Sequence, residues 1–207
     1  MARFTNQAQL RYGNAVTNSN IAVGEILEVL SATKTAVRNT YGQSDTVTYI
    51  VSIVNSGTTP ITGISVTDNL GEYTFGTTTL VPLTYIDGTV KYYVNGVLQP
   101  SAVVTAGPPL VVSGITVPAG GSVTVAYEAA VNEFAPLDTT SVINNTAIVA
   151  GTGITPITAE EEITVESTPV LTITKSVSPV PVTENGTLTY TFLIQNSGNV
   201  AADASTG

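Results

Sequence analysis

Hydrophobic and polar residues alternate with a period of two along most of this chain, and the alternation is clearest in four segments. These segments, each bounded by Gly, Pro, Asn or Asp, are Asp45–Gly57, Ile61–Gly71, Thr89–Pro100 and Gly121–Asn132. The period places successive side chains on opposite faces of a β-strand. The pair Asn95-Gly96 lies between two alternating runs and predicts a two-residue hairpin turn. No segment shows helical periodicity beyond one turn, so the pattern predicts an all-β chain folded as an antiparallel β-sandwich.

An internal repeat organises the chain. Residues Lys34–Gly57 align without gaps with Lys175–Gly198 at an offset of 141, and eight of the 24 aligned positions are identical. The identities include the two lysines and the Asn-Ser-Gly turn that ends each copy. The first copy continues to about Val165, whereas the second has room for two or three strands before Gly207. We therefore expect the second copy to form only part of a sandwich.

The N-terminal residues resemble the other end of a sandwich. Phe4–Leu10 aligns with Ile143–Val149, the predicted last strand of the complete copy, with two identities in seven positions. This alignment places Asn6 on Asn145. We therefore expect three parts in the chain. They are an N-terminal strand segment at 1–28, a complete sandwich at 29–165 and the first strands of a second, incomplete sandwich at 166–207.

The composition excludes several kinds of chemistry. The chain of 207 residues contains no Cys, His or Trp, which excludes disulfides, thiolate nucleophiles, histidine triads and the usual Cys/His zinc sites. Its net charge of −9, with six Lys and Arg residues, argues against nucleic-acid binding. Phosphate-binding loops and clusters of metal ligands are also missing from the sequence. We therefore expect no enzyme activity, no cofactor and no metal.

Five motifs occur in the order and spacing of a known repeat. They are the Lys-Thr-Ala strand at Lys34, the strand Asp45–Gly57, the VTDNL segment with Asp68, the AGGSV turn at Ala119–Val123 and the strand with Asn145. Over about Leu30–Val165 the sequence resembles the tandem repeat domain of unknown function number eleven, which is widespread on bacterial surfaces, and the first part recurs at Leu171–Thr206. The resemblance implies an Ig-like sandwich with a structural role. The chain departs from it by an extra hairpin between Tyr73 and Gly114.

The expected location is extracellular, on the surface of a bacterial cell or spore, because the resemblance implies surface display. No apolar run reaches the roughly 18 residues of a membrane span, so no membrane-spanning segment is predicted. Residues 1–28 lack the apolar core of a secretory signal. The export route therefore stays open between a signal that was removed and another pathway.

The resemblance also implies one piece of chemistry, a Lys–Asn isopeptide bond formed beside a buried acid. It places this chemistry on Lys34, Asn145 and Asp68. Burial would lower the pKa of the lysine and leave a nucleophilic amine. The same burial would keep Asp68 protonated, so that it could donate to the amide oxygen during the reaction. Alternation supports inward placement of Asn145 and Asp68, and it is weaker evidence for Lys34, which shares its position in the alternation only with Ala32 and Ala36.

Less specific readings of these residues stay open. Lys34 could be an ordinary surface lysine, Asn145 the cap of a strand end and Asp68 part of a solvated turn. Glu128 is the reserve acid, although its position in the alternation differs from that of Tyr127.

Three other segments carry weaker signals. Asp68–Glu72 offers too few oxygens for the six to eight ligands of calcium. The acidic run Ala159–Glu166 is typical of a solvated strand that discourages edge-to-edge pairing. Tyr92 and Tyr93 could form a sugar-binding or partner-binding patch, or simply pack across strands.

The incomplete second sandwich indicates self-assembly. Its strands would leave an apolar face and unpaired edges uncovered, while residues 1–28 supply closing strands. We expect the N-terminal strands of one molecule to complete the C-terminal sandwich of the next, head to tail, in a surface fibre. Lys175 and Asn6 are the candidates for a bond between molecules. The alternative is the N-terminal part of a longer multi-repeat adhesin or carbohydrate-binding stalk, with a host or glycan ligand that the sequence does not identify.

Overall fold

The computed structural model describes residues 2–26, 28–100 and 102–203. The described residues form twenty strands and contain no helix. The first ten strands are β1 (Ala2–Asn6), β2 (Gln9–Tyr12), β3 (Ala15–Asn18), β4 (Ala22–Ile26), β5 (Leu30–Ala36), β6 (Thr40–Tyr41), β7 (Thr46–Asn55), β8 (Ile61–Asp68), β9 (Tyr73–Phe75) and β10 (Thr78–Leu80). The other ten are β11 (Leu83–Tyr85), β12 (Lys91–Val94), β13 (Val97–Leu98), β14 (Val103–Thr105), β15 (Leu110–Val117), β16 (Ser122–Val131), β17 (Val142–Ala150), β18 (Ile157–Val165), β19 (Leu171–Ser178) and β20 (Thr189–Asn196).

Two six-stranded sheets form a sandwich. The first sheet has the order β13-β12-β16-β7-β5, with β11 also paired to β16, and the second has the order β14-β15-β8-β17-β18-β6. Neighbouring strands are antiparallel, apart from the short parallel pair of β18 and β6. The other strands form four two-stranded ribbons, β1–β4, β2–β3, β9–β10 and β19–β20.

The core lies between the two sheets and follows the alternation in the sequence. In β16 every second residue from Val123 to Val131 is buried, and β7 shows the same pattern from Val47. Val, Ile, Leu and Tyr fill this space, and burying each large aliphatic side chain contributes about 1.5–3 kcal/mol. The buried hydrophobic residues run from Tyr41 to Val165. The predicted all-β sandwich and its inward positions are thus observed.

The predicted hairpin turn at Asn95-Gly96 is present. Asn95 has a φ of 48° and Gly96 a φ of 80°, the two positive values that a type I′ turn requires. The surrounding segment does more than form one extra hairpin, because β11 and β12 both pair with β16, and β14 pairs with β15. The insertion therefore widens both sheets of the sandwich.

The N-terminal segment differs from the single strand predicted over Phe4–Leu10. β1 ends at Asn6, and β2 begins at Gln9. The pairing shifts by one residue between the two ribbons, since Asn6 lies opposite Ala22 whereas Gln9 lies opposite Asn18. Such a shift is a bulge, which bends the hairpin and interrupts the strand.

Two hairpins of the chain share one register. In β5–β7, Leu30 lies opposite Asn55, and in β19–β20, Leu171 lies opposite Asn196, so both members of the pair are shifted by 141. The turn that follows is also the same. The side chain of Asn55 accepts from the Gly57 N–H at 2.9 Å and donates to the Thr59 carbonyl at 2.8 Å, and the corresponding bonds of Asn196 measure 3.0 and 2.6 Å. The β5–β7 hairpin is covered by the second sheet, whereas the side chains of β19–β20 are exposed.

The buried Asn55 provides a test of the sandwich. Its amide also donates to the Pro118 carbonyl at 3.0 Å and so joins two loops. Asn55→Ala would remove the side-chain partner of these partly buried loop groups, and we expect the unfolding free energy to fall by about 1–2 kcal/mol. Urea denaturation measures this change. Asn196→Ala is the matched control, because the same bonds are exposed there; an equal loss in both variants would contradict the assignment.

Candidate functional site

The described structure buries four polar or charged side chains, and three of them are the predicted trio. Lys34 is 4% exposed, Asp68 1% and Asn145 0%. Lys34 comes from β5 in the first sheet, whereas Asp68 and Asn145 come from the neighbouring strands β8 and β17 of the second. Asp68 is the last residue of β8 and lies opposite Ala147, two residues beyond Asn145. The trio therefore meets across the interior of the sandwich.

Asp68 is the centre of the cluster. Its Oδ2 accepts from Lys34 Nζ at 2.6 Å and from the Tyr127 hydroxyl at 2.5 Å. Its Oδ1 accepts from the Leu70 N–H at 3.0 Å. Since these oxygens are buried and engaged with protein groups, Asp68 is not part of a solvated turn and does not present ligands to calcium.

The amide of Asn145 has a separate set of partners. Its Oδ1 accepts from the Gly71 N–H at 3.1 Å, and its Nδ2 donates to the Tyr127 hydroxyl at 3.2 Å. Gly71 has a φ of +74°, and a Cβ there would lie 2.6 Å from Ile143 Cγ2, so only glycine brings this N–H so close. The sequence predicted Asp68 as the donor to the amide oxygen, but in the structure the Gly71 N–H donates to it instead. The same N–H also donates to Asn69 Oδ1 at 3.0 Å, so its hydrogen is shared between two side-chain oxygens.

Two tyrosines enclose the cluster. The rings of Tyr49 and Tyr127 stack with centroids 5.7 Å apart, and Lys34 Nζ lies 4.8 Å from the centroid of Tyr49. The Tyr49 hydroxyl is buried close to the Asn145 side chain and interacts with it, although the two groups do not meet the geometry of a standard hydrogen bond. Neither tyrosine was predicted from the sequence to be a site residue. The available signal was their inward position on β7 and β16.

Burial sets the charge balance of the site. It lowers the pKa of Lys34 from 10.5 to about 8, against the attraction and hydrogen bond of Asp68 and the charge of Glu161, which raise it. Burial also raises the pKa of Tyr127 well above its ordinary value, and the negative charge of Asp68 adds to this effect. Glu161 belongs to the predicted solvated run, yet it is half-buried opposite Asn145. At neutral pH the site therefore holds a protonated phenol and a lysine that loses its proton unusually easily.

The other predicted site residues lie outside this cluster. Glu128 is on the opposite face of β16 from Tyr127, so it is not an acid of this site, as its position in the alternation indicated. Asn6 is exposed on β1, opposite Ala22. Lys175 is exposed on β19, with its Nζ 4.4 Å from the centroid of Tyr190.

Tyr92 and Tyr93, the weaker candidates for a binding patch, both lie on β12. Tyr92 packs partly buried against the core, and Tyr93 lies between Leu98 and Thr124 across neighbouring strands. Within the described ranges, no three His, Cys, Asp or Glu side chains are grouped to hold a metal ion. No helix in the same residues is long and apolar enough to cross a membrane.

Comparisons with known proteins extend the description of the fold. No protein-family model and no curated protein matches the sequence. Among solved structures, a variant of BcpA, the major pilin subunit of Bacillus cereus, aligns over 95% of this chain and 64% of its own, with a TM-score of 0.53 and 11% identity. The major pilin SpaD of Corynebacterium diphtheriae aligns over 77% of this chain and 40% of its own, with a TM-score of 0.49 and 16% identity. The pilus backbone protein RrgB of Streptococcus pneumoniae aligns over 58% and 31%, with a TM-score of 0.46 and 14% identity.

The likeness to BcpA shows the fold alone, because the identity is low. It confirms the predicted all-β, Ig-like sandwich. The chain spans less than two thirds of the length of each of the three pilins. Since no family model matches, the resemblance to one particular surface repeat stays a hypothesis.

The lowered pKa of Lys34 predicts how stability changes with pH. Asn145→Ala removes the amide and leaves Lys34 beside Asp68. The folded-state pKa of about 8 lies below the ordinary 10.5, so the unfolded chain binds more protons between these values and the unfolding free energy rises with pH. We expect a gain of about 2 kcal/mol from pH 7 to pH 9.5. Urea denaturation at constant ionic strength measures it.

The matched control is the double variant Lys34→Met/Asn145→Ala, which has no titrating amine in the core. Its unfolding free energy is expected to change little over the same range. Ionisation of Tyr127 affects the unfolding free energy only above about pH 10. There its raised pKa makes the unfolding free energy fall as pH rises. Parallel curves for the two variants would show that Lys34 is not the group responsible.

Proposed function

We propose that this chain is a structural subunit of an extracellular bacterial surface fibre, with its complete sandwich at 29–165 closed by an isopeptide bond between Lys34 and Asn145. One observation carries the proposal. Lys34, Asp68 and Asn145 are buried in one hydrogen-bonded cluster that joins the two sheets. Charged side chains are rarely buried unless they are paired with an opposite charge or belong to a functional site. The likeness of fold to a pilin supports the structural role.

The groups of the cluster fit the chemistry of amide exchange. Lys34 Nζ would attack Cγ of Asn145, the bond from Cγ to Nδ2 would break, and the nitrogen would leave as ammonia. Asp68 accepts a proton from the lysine and so exposes the electron pair of the amine. The Gly71 N–H stabilises negative charge on Oδ1 while the carbonyl is attacked.

The bond would tie the first strand of the sandwich to its penultimate strand. β5 is an edge strand of the first sheet, and β17 is an inner strand of the second. By the chain-entropy argument for disulfides, closing a loop of roughly 100 residues stabilises a fold by about 4–5 kcal/mol. A permanent tie would also suit a cysteine-free subunit of a fibre under mechanical force.

The internal bond is tested by the intact mass of the purified protein. We expect the mass to fall below the value from the sequence by about 17 Da, the mass of one ammonia. Proteolysis and peptide mapping would place the cross-link between Lys34 and Asn145. Lys34→Ala and Asn145→Ala should each restore the full mass.

Asn144→Ala is the matched control for the acceptor, because Asn144 is the neighbouring residue of β17 but is exposed. It should retain the loss of about 17 Da. A wild-type protein with its full mass would refute the internal bond. The proposal would then reduce to a noncovalent sandwich.

Head-to-tail assembly is the second part of the proposal. Phe192 and Ile194 of the exposed hairpin β19–β20 correspond to Val51 and Ile53, which are fully buried beneath the second sheet. Their exposed fractions of 56% and 65% leave an apolar face uncovered. Exposed apolar faces and strand edges favour pairing with another chain.

The N-terminal ribbon has a register that suits this role. Asn6 lies opposite Ala22 as Asn145 lies opposite Glu161, both shifted by 139. We therefore propose that residues 1–28 of one molecule pack as closing strands on the hairpin at 166–207 of the next. In that position Asn6 would approach Lys175, and a bond between molecules is a further step.

Boiling in SDS followed by gel separation tests the bond between molecules. We expect a ladder of multiples in the wild type, and its loss in Asn6→Ala. Asn14→Ala is the control, because Asn14 lies in the exposed turn of the same segment and should keep the ladder. Oligomers seen only before denaturation would leave strand donation without the covalent step. A monomer under both conditions would refute the assembly, and specific retention of a glycan by that monomer would favour the adhesin alternative.

A further inference from the structure

The Tyr127 hydroxyl lies between the acid and the amide of the cluster. It donates to Asp68 Oδ2 at 2.5 Å and accepts from Asn145 Nδ2 at 3.2 Å. Lys34 Nζ contacts the same oxygen of Asp68 at 2.6 Å. The polar groups therefore form one continuous chain, from the lysine nitrogen through the carboxyl and the phenol to the nitrogen of the amide.

This order separates two tasks that a single acid would otherwise perform. The oxygen of the Asn145 amide is already held by the Gly71 N–H at 3.1 Å. The nitrogen, which must leave as ammonia, contacts the hydroxyl of Tyr127 instead. An amide nitrogen is a poor leaving group unless it receives a proton while its bond to carbon breaks, so the residue in contact with it matters for the rate.

We propose that Tyr127 is a catalytic residue of the Lys34–Asn145 bond, and that its hydroxyl passes a proton to Asn145 Nδ2 as ammonia leaves. The proposal rests on the internal cross-link proposed above and adds to it the route of the proton. Its basis is the position of one hydroxyl between the carboxyl that collects the lysine proton and the nitrogen that needs it.

Lys34 first transfers one proton from Nζ to Asp68 Oδ2, and the neutral amine then forms a bond to Cγ of Asn145, while the carbonyl electrons move to Oδ1. Next, the bond from Cγ to Nδ2 breaks as Tyr127 gives its proton to Nδ2 and takes the proton held by Asp68. The carbonyl re-forms, and the second lysine hydrogen moves to Asp68. The products are a neutral amide, ammonia, a neutral Tyr127 and a protonated Asp68, with no net change in charge.

A protonated phenol is suited to this position. Burial and the charge of Asp68 raise the pKa of Tyr127, so the hydroxyl keeps its proton until the carboxyl can replace it. The Tyr49 hydroxyl, on the ring stacked against Tyr127, makes no such bonds. Tyr127 is therefore the phenol that contacts both the carboxyl of Asp68 and the leaving nitrogen of Asn145.

The rate of bond formation tests the proposal. Full-length protein is isolated unfolded in denaturant and refolded by dilution. Samples are quenched at intervals, and mass spectrometry measures the loss of about 17 Da. We expect Tyr127→Phe to form the bond about 100-fold more slowly than the wild type, as for loss of a positioned general acid. Tyr41→Phe is the matched control. It removes another buried hydroxyl, which donates to the Pro136 carbonyl at 2.6 Å away from the cluster, and its rate should stay within twofold of the wild type.

A second variant separates proton transfer from positioning. Replacing Tyr127 with 3-fluorotyrosine keeps the ring and both hydrogen bonds but makes the hydroxyl more acidic. A change in rate of more than twofold supports transfer through the hydroxyl, whereas an unchanged rate means that Tyr127 only positions its neighbours and overturns the proposal. Equal rates for Tyr127→Phe and wild type would also overturn it and leave the cross-link intact. A wild type that never loses ammonia would refute the cross-link and this proposal together.

Discussion

The pairing of Lys34 with Asp68 inside an apolar core is the interaction on which the proposed chemistry of this sandwich depends. Removing two charges from water costs several kcal/mol for each ion, and replacing such a pair with apolar residues is often neutral or stabilising. The pair is therefore a poor choice if stability is the only requirement. Here the cost is offset in part by the Tyr127 hydroxyl and the Leu70 N–H, which both donate to the carboxyl. A reaction that consumes the two charges would remove the remaining cost, since an amide and a protonated acid are neutral.

The same pair explains why the site needs both sheets. β5 and β7 place Lys34 against the ring of Tyr49, but the carboxyl and the amide come from β8 and β17 in the opposite sheet. Only the closed sandwich excludes water from the lysine and brings it to Asp68. Bond formation would consequently follow folding, because neither the lowered pKa of Lys34 nor its contact with the carboxyl exists in an open chain. The covalent tie would then preserve a fold that noncovalent packing had already produced.

The alternation of hydrophobic and polar residues in the sequence predicts part of this site. A period of two identifies which residues point inward, and it located β7, β8 and β16 and favoured inward positions for Asp68 and Asn145, whereas Lys34 was placed mainly by the resemblance to a surface repeat. Alternation does not say which inward residues meet across the sandwich, since that depends on how the sheets stack. Tyr127 was therefore missed, because every second residue of β16 points inward with it. The role of the Gly71 N–H was missed for a related reason, as it depends on a positive φ just after β8.

The hairpin β19–β20 contains only one part of the site, the lysine that lies over an aromatic ring. Lys175 lies over the ring of Tyr190 at 4.4 Å, as Lys34 lies over Tyr49 at 4.8 Å, because the two hairpins have the same register. The lysine–aromatic pair is thus a property of a single hairpin. The buried acid, the amide and the exclusion of water come from a second sheet, and Lys175 is solvent-exposed without them. A lysine of this kind would acquire reactivity only when other strands cover its hairpin. The proposed chemistry is thus linked to completion of the sandwich, whether those strands come from the same chain or from another.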